Sequence, residues 1–202
     1  MKIHVIHVIV VAYQRYEPLE ILIRSFLIQT NPNWVLHIIH DGPSPQRILD
    51  IIGIFIDGAR KDERIHFYES KKRYEKYGHP NRRSMLQEIQ ADQKDFILMT
   101  NDDNYYICRF VEFFLKEVRP NTGMVYCNTL HSLTEYVIHN STIGQGGIDM
   151  GAFIVRADVA KETGFNHDDA QADGFYAGEC LARCQRKGLI AVKIEKALFV
   201  HN

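Results

Sequence analysis

This sequence predicts an α/β fold: a single domain on a mixed, mostly parallel sheet flanked by helices. Three observations predict it. The first apolar segment, Ile6 to Ala12, is an almost unbroken β-branched run, as a strand covered on both faces requires. Strand-like and helix-like segments then alternate through the first half of the chain, the pattern of parallel strands joined by crossover helices. A length of 202 residues, 46% hydrophobic and 24% charged, suits one ordinary core and excludes a disordered or fibrous chain.

In chain order, the Ile6 to Ala12 strand gives way to a polar turn, Tyr13 to Glu17, and Pro18 opens a helix where its missing N–H does no harm. Leu19, Leu22, Ile23, Phe26 and Leu27 recur at i, i+3, i+4, i+7 and i+8, one apolar helix face, and Asn31-Pro32-Asn33 ends it. Val35 to Ile39 is the second strand. After the turn His40-Asp41-Gly42-Pro43-Ser44, the residues Ile48, Ile51, Ile52, Phe55 and Ile56 mark a second amphipathic helix closed by Gly58. Ile65 to Tyr68 reads as a short third strand, the charge-dense stretch Glu69 to Arg83 as a loop, Ser84 to Ala91 as a helix and Phe96 to Thr100 as a fourth strand. In the second half, Gly123 to Asn128 and Ala152 to Arg156 read as strands around a polar stretch ending in Gly144-Gln145-Gly146-Gly147. Asp158 caps a short helix that Gly164 stops. Phe175 to Lys187 is a helix, and Leu189 to Val192 and Ala197 to Val200 are closing strands.

Lys and Arg number 24 against 25 Asp and Glu, a net charge of −1, which removes the electrostatic case for a general nucleic-acid binder. The cysteines Cys108, Cys127, Cys180 and Cys184 form no CxxC pair; without a disulfide framework, a reducing, cytoplasmic compartment is expected. No apolar run approaches the ~18–20 residues of a bilayer span. The opening to Tyr13 is leader-like, with Lys2 ahead of apolar residues. But His4 and His7 interrupt it, and Gln14-Arg15 stands where small cleavage-site residues belong, so it reads as a buried strand of a soluble protein.

Three polar clusters fall at strand ends: Tyr13-Gln14-Arg15, His40-Asp41-Gly42 and Asn101-Asp102-Asp103-Asn104. In open α/β sheets, ligands occupy the crevice beyond those ends. Adjacent carboxylates repel, so Asp102 beside Asp103 suits a hard divalent cation, Mn²⁺ or Mg²⁺, or else a solvated turn. Asp41 can accept the imide N–H of a uracil ring or simply cap its turn. Arg15, Arg82 and Arg83 can each meet a phosphate or a base carbonyl, or lie at the surface. Asp168, Asp169 and Asp173 precede the Phe175 helix, where carboxylates also favour the helix dipole, and Glu179 lies within it; a catalytic base among them must sit beside the metal. His201 closes a strand, as a structural histidine or a metal ligand. No GxGxxG follows the first strand and no GxxxxGK[ST] or GxSxG occurs, which leaves a metal–nucleotide site as the economical use of the strand ends.

Together these residues resemble the GT-A glycosyltransferases of the family-2 type, across essentially the whole chain. Val8-Ile9-Val10-Val11-Ala12-Tyr13-Gln14-Arg15, a Leu-rich helix, Gln29-Thr30-Asn31-Pro32-Asn33-Trp34 and Ile38-Ile39-His40-Asp41-Gly42-Pro43-Ser44 are similar to that family's N-terminal signature. Its usual form is strand, Tyr-Asn-Arg, helix, Gln-Thr-x-x-x-Trp/Phe, strand, Asp-Asp-Gly-Ser. The resemblance implies one GT-A (Rossmann-like) domain over 1–202, with a nucleotide-binding half at 1–104 and an acceptor and catalytic half at 105–202, compatible with a catalytic domain cut from a longer protein. It implies that Ala12, Tyr13, Arg15 and Asp41 line the nucleotide pocket, with Asp41 on the uracil. Arg83, or alternatively Arg82, stands before the metal motif, and Asn101-Asp102-Asp103 occupies the DXD position. With Asn101 replacing the first Asp, the direct metal bond falls to Asp103, and Asp102 lies near the ribose or a metal-bound water. Gly144 to Gly147, with Asp149 and Met150, borders the donor sugar and acceptor. The catalytic acid falls between Asp168 and Glu179, with Asp173 preferred at the loop-to-helix junction, and His201 matches a C-terminal metal-ligating histidine.

The reaction so implied is metal-dependent, inverting transfer of a hexose from a UDP-sugar, UDP-glucose first, to a hydroxyl of a glycan or glycoconjugate acceptor. The metal bridges the phosphates and Asp173 deprotonates the acceptor. A sugar nucleotidyltransferase is the rival enzyme class. It would want a Gly-rich basic loop after the first strand, which Tyr13-Gln14-Arg15-Tyr16-Glu17 is not. A catalytically degenerate nucleotide-sugar or glycan-binding domain is the non-enzymatic rival, motivated by Asn101.

Overall fold

In the computed structural model, which describes residues 4–202, the β-branched run Ile6–Ala12 forms β1 and is buried at every position. The leader-like opening Met1-Lys2-Ile3 lies outside the described residues. Helix α1 (Tyr16–Leu27) buries Leu19, Leu22, Ile23 and Phe26. Strand β2 (Trp34–His40) pairs parallel with β1, α2 (Gln46–Ile56) buries Ile48, Ile52 and Phe55, and β3 (Ile65–Glu69) pairs parallel with β2. Strand β4 (Phe96–Asn101) pairs parallel with β1 on its other side.

Helix α3 (His79–Glu88) starts five residues before the expected Ser84 and takes over the end of the expected loop. Pro80 sits in its first turn, where no intrahelical donor is lost. Its inward residues are His79, Asn81, Arg82, Met85 and Leu86, so the buried face is mostly polar and leaves no apolar periodicity to read. Three elements had no counterpart in the sequence reading: β5 (Tyr105–Tyr106), α4 (Phe110–Lys116) and, after β6 (Thr122–His131), the short hairpin strand β7 (Val137–His139).

Strand β8 (Phe153–Arg156) leads into α5 (Ala157–Thr163). Asp158 lies inside that helix and pairs with Arg156, which itself holds the cap position, so the expected Asp158 cap is not made; Gly164 does end the helix, at φ +71°. Helix α6 (Ala172–Arg186) begins three residues before Phe175. The two expected closing strands are one, β9 (Ile190–His201). Cys127 pairs with Ile194 and Asn128 with Ala197, so Glu195 and Lys196 bulge out where a turn was expected.

The sheet order is β3-β2-β1-β4-β8-β6-β9-β5, with β7 beside β6. Only β8 reverses direction between β4 and β6, and β9 is parallel to β6. Consequently β1, β2, β4, β6 and β9 all bring their carboxyl ends, Ala12, His40, Asn101, His131 and His201, to one edge of the sheet. Beneath that edge, Phe26 packs on Trp34 and on Tyr106 (ring centroids 5.7 and 5.0 Å apart) and Tyr106 stacks on Phe199, tying α1, β2, β5 and β9 into one core. Full burial of such side chains contributes ~1.5–3 kcal/mol each. No helix among the described residues is long and apolar enough to cross a membrane.

Candidate functional site

A cavity of about 740 Å³ opens beyond the carboxyl edge, and Tyr13, Arg15, Asp41, Asp102, Asp173 and His201 all wall it. On the β2 side, the buried imidazole of His40 meets the Gly42 carbonyl through Nδ1 at 2.9 Å and so fixes the turn that carries Asp41. The Asp41 carboxylate accepts the backbone N–H of Tyr74 (2.8 Å), the N–H of Glu75 (3.1 Å) and the side-chain amide of Asn81 (2.7 Å). Those bonds hold a segment in which Glu75, Lys76 and Tyr77 take φ of 60°, 48° and 55° before Gly78 at 74°. Such left-handed residues cost ~1–3 kcal/mol each unless the surroundings fix them. The guanidinium of Arg73, from the same segment, lies 3.9 Å from the centre of the Tyr13 ring.

Between β1 and β4, the Tyr13 N–H donates to Asp102 Oδ2 at 2.9 Å, and Arg15 bonds Asp103 Oδ2. Burial pushes Asp102 up to about 6, against the Tyr13 N–H and with help from the neighbouring Asp103 charge. Burial also raises Asp103, and its Oδ1 is buried with no hydrogen-bond partner. Ala12 is fully buried behind this edge and outside the cavity wall; it contributes its carbonyl, which accepts the Asp41 N–H at 3.0 Å.

The opposite wall is the start of α6. A Cβ on Gly174 would lie 2.4 Å from the Gly144 carbonyl oxygen, so only glycine lets the helix press this closely on the glycine-rich loop. The approach sets Asp173 where its Oδ2 accepts the Met150 N–H at 3.3 Å. Burial and the adjacent Asp149 carboxylate push Asp173 up to about 7. Asp149 accepts the Gly151 N–H through Oδ1 at 2.7 Å, and its Oδ2 lies 2.9 Å from His201 Nδ1, which raises the histidine's affinity for a proton.

Of the two candidate arginines the structure puts Arg82, 1% exposed, in the cavity wall, and not Arg83. The early start of α3 turns Arg82 inward, where it bonds the Tyr77 carbonyl and Asn101 Oδ1 while its Nε has no partner. Arg83, one position round the helix, is engaged by the Phe165 carbonyl (2.7 Å) and Asp168 (2.8 Å) outside the cavity. The alternatives to Asp173 also lie elsewhere: Asp168 pairs with Lys76 and Arg83, Asp169 accepts the Gln171 N–H and Glu179 pairs with His167, and none walls the cavity. Sequence reasoning missed the pairing of Asp149 with His201 and the cavity-facing segment Arg73 to Gly78. Its one usable signal is the tight Tyr-Gly-His-Pro sequence of residues 77–80. Among the described residues no three His, Cys, Asp or Glu side chains form a complete metal cage. Asp149 and Asp173 also wall an adjoining cavity of about 430 Å³.

Residues 7–143 match the family model described as Glycosyl transferase family 2. No curated protein matches the chain. Among solved structures, the 1–349 fragment of S. aureus TarS in complex with UDP is similar at 12% identity and a TM-score of 0.74, over 98% of this chain and 60% of that one. The same fragment with UDP-GlcNAc is similar at 14% identity and 0.72, over 98% and 58%. The mannosyltransferase PcManGT from Pyrobaculum calidifontis, in complex with GDP-Man and Mn²⁺, is similar at 14% identity and 0.67, over 97% and 56%. This chain thus spans under two thirds of each of those chains, and the likeness is one of fold.

Proposed function

Because the chain belongs to glycosyl transferase family 2, we propose that it is a metal-dependent, inverting glycosyltransferase moving a hexose from a UDP-sugar, UDP-glucose first, to an acceptor hydroxyl on a glycan or glycoconjugate. The observation that carries this reading is the meeting of Asp41, Asp102, Arg82, Asp173 and His201 around one cavity at the strand ends. Residues 1–104 supply the nucleotide side and residues 105–202 the catalytic side. Asp41 Oδ2 accepts one backbone N–H and keeps a lone pair for an imide N–H, and the Tyr13 ring beside Arg73 offers an aromatic face to the base. Arg15 and the buried Arg82 face the diphosphate with positive charge, and Asp102 faces the ribose.

The residues present fit a divalent cation. The unpartnered Asp103 Oδ1 and the His201 imidazole are donors suited to Mn²⁺ or Mg²⁺, with Asp149 orienting the histidine through Nδ1. Asp103 and His201 would hold the ion and leave its remaining oxygen ligands to water and the donor diphosphate. When bound, the ion supplies Lewis-acid neutralisation of the leaving diphosphate.

Asp173, held near neutrality in its proton affinity, takes the acceptor's hydroxyl proton as the new bond forms between that oxygen and the sugar's anomeric carbon. The bond from that carbon to the diphosphate oxygen breaks, and UDP leaves with the electron pair. One displacement from the opposite face inverts the centre. The four cysteines are free thiols, which suits a cytoplasmic setting.

A thermal-shift panel of UDP-glucose, UDP-GlcNAc, GDP-mannose, CMP- and dTDP-sugars, with and without Mn²⁺, tests the reading. UDP-sugars should raise the melting temperature in Mn²⁺, with ~2.7 kcal/mol of added stability at a hundredfold excess over Kd. No shift with any nucleotide sugar overturns it. Mn²⁺-dependent release of UDP separates an enzyme from a degenerate binding domain.

A further inference from the structure

We propose that the 430 Å³ cavity beside Asp173 holds the acceptor, and that the acceptor is a neutral glycoside whose apolar aglycone lies on the β6–β7 hairpin. The inference rests on the glycosyltransferase reading, and three observations carry it. First, the cavity shares Asp173 and Asp149 with the larger one, so a hydroxyl placed in it faces the proposed base from the side away from the nucleotide. Second, its wall is built for sugar hydroxyls. Thr129, His131, His139, Ser141 and Thr142 line it, together with the two carboxylates and no Lys or Arg. The Thr129 side chain is 3% exposed and its Oγ1 is buried without a partner, a hydroxyl waiting for a ligand in a cavity wall. An anionic acceptor would meet Asp149 and Asp173 in a wall that itself presents no arginine or lysine, whereas neutral hydroxyls bond all of these groups.

The third observation is the hairpin itself. Leu133, Tyr136, Val137 and Ile138 are 82%, 61%, 56% and 60% exposed, an uncovered apolar run. Thr129 pairs with His139 and His131 with Val137 across the β6–β7 ladder, so Val137 shares a face with the three cavity-lining residues. Val137 therefore carries the apolar surface to the cavity mouth, while Ile138, opposite Leu130, lies on the other face of the hairpin. Between His131 and His139 the only formal charge is Glu135, so the hairpin has none of the basic residues that draw a protein to an anionic bilayer. A sugar in the cavity with its aglycone leaving over Val137 uses both surfaces at once.

Methyl and octyl glycosides of glucose, galactose, mannose and N-acetylglucosamine, the octyl compounds kept below micelle formation, serve as acceptors with Mn²⁺ and the donor selected by thermal shift. The octyl compound should show ~10-fold or greater preference in kcat/KM, what burial of about two methylenes supplies, expressed in KM. Val137→Asp and Leu133→Ser should each bring that preference toward one, and Thr129→Val should raise KM for methyl and octyl glycosides alike. Donor hydrolysis is followed in parallel. Hydrolysis with equal kcat/KM for methyl and octyl acceptors overturns this inference and leaves the glycosyltransferase reading standing; absence of both hydrolysis and transfer overturns the two together. A concentration-dependent dimer that Val137→Asp dissociates, without any chain-length preference, assigns the hairpin to a second copy instead. Co-sedimentation with phosphatidylcholine vesicles in the absence of glycoside assigns it to a bilayer.

Discussion

Replacing Asp173 with Asn probes stability and catalysis at the same position. Asn has the shape of Asp and its side-chain oxygen can still accept the Met150 N–H that Asp173 takes at 3.3 Å, so the change is one of charge and proton affinity. In the folded chain, burial and the Asp149 carboxylate carry Asp173 from 3.8 to about 7. The unfolded chain loses that proton near 3.8, so between 3.8 and about 7 the folded state holds a proton that the unfolded state has released. Stability therefore falls as pH rises through this window, and the full cost is present above it. At 1.36 kcal/mol for each tenfold change in proton affinity, the cost is about 4 kcal/mol. Readjustment of Asp149 and Arg82 around a neutral neighbour brings the recoverable part to ~2–4 kcal/mol. For a chain of this length Asp173→Asn should raise Tm by roughly 5–10 °C at about pH 8 and by almost nothing at about pH 4.

Turnover should fall by ~10²–10⁴, the usual contribution of a general base, while UDP still raises Tm in Mn²⁺. Scanning calorimetry across pH, paired with a sugar-transfer assay, reads both effects on one preparation. An unchanged or lowered Tm at about pH 8 refutes the electrostatic account of Asp173, and normal turnover refutes its role as base.

The other consequences can be checked more briefly. Asp103→Ala removes the unpartnered Oδ1 and should weaken Mn²⁺-dependent UDP binding at least ~10-fold, as read by calorimetric titration; identical affinity with and without Mn²⁺ in both proteins counts against the metal site. Arg82→Gln should weaken UDP binding and lower Tm because a buried cation bonded to Asn101 and Tyr77 is lost, whereas Arg83→Gln, which deletes a half-exposed pair with Asp168, should cost under ~1 kcal/mol and leave UDP affinity intact. His37 is held down to about 3 by burial and by its neighbours His7 and His66, against 6.5 unfolded. Stability is then lost as pH falls below 6.5 toward 3, and His37→Leu should recover ~2–3 kcal/mol at about pH 4.5 in urea titrations relative to the effect at neutral pH.

The parallel strands were readable because burial on both faces demands unbroken apolar residues, and the polar residues that interrupt them at Tyr13, Asp41 and Asn101 mark the ends where a ligand can be met. The first half of α3 was not, because its inward side carries His79 and Arg82 to the cavity and Asn81 to Asp41 in place of apolar residues. The choice between Arg82 and Arg83 turns on where that helix starts. The start depends on the left-handed run ending at Gly78, which Asp41 holds from far away in sequence. The pairing of Asp149 with His201 is likewise a product of topology: β8 runs antiparallel to β4 and β6, so its start, just after Asp149, lies at the edge where β9 ends at His201.

The charge balance of the cavity explains why a cation and a nucleotide should enter together. Asp102, Asp149 and Asp173 share the cavity wall with Arg15, Arg82 and His201, Asp103 lies outside that wall and bonds Arg15, and burial makes Asp102, Asp103 and Asp173 all reluctant to ionise. The carboxylates have lost more water than the nearby cations replace. A diphosphate brings further negative charge into the same space, and at 4 Å each like-charged pair opposes it by ~4 kcal/mol at an effective dielectric of ~20. A divalent cation held by Asp103 and His201, as proposed, would turn both sets of anions from mutual repulsion to shared attraction and favour the ionised carboxylates. The coupling is reciprocal by thermodynamic necessity: the factor by which Mn²⁺ tightens UDP is the factor by which UDP tightens Mn²⁺. Titrating each in saturating amounts of the other should give one common factor, well above one. A factor of one in both directions would mean that cation and diphosphate do not meet at the strand tips.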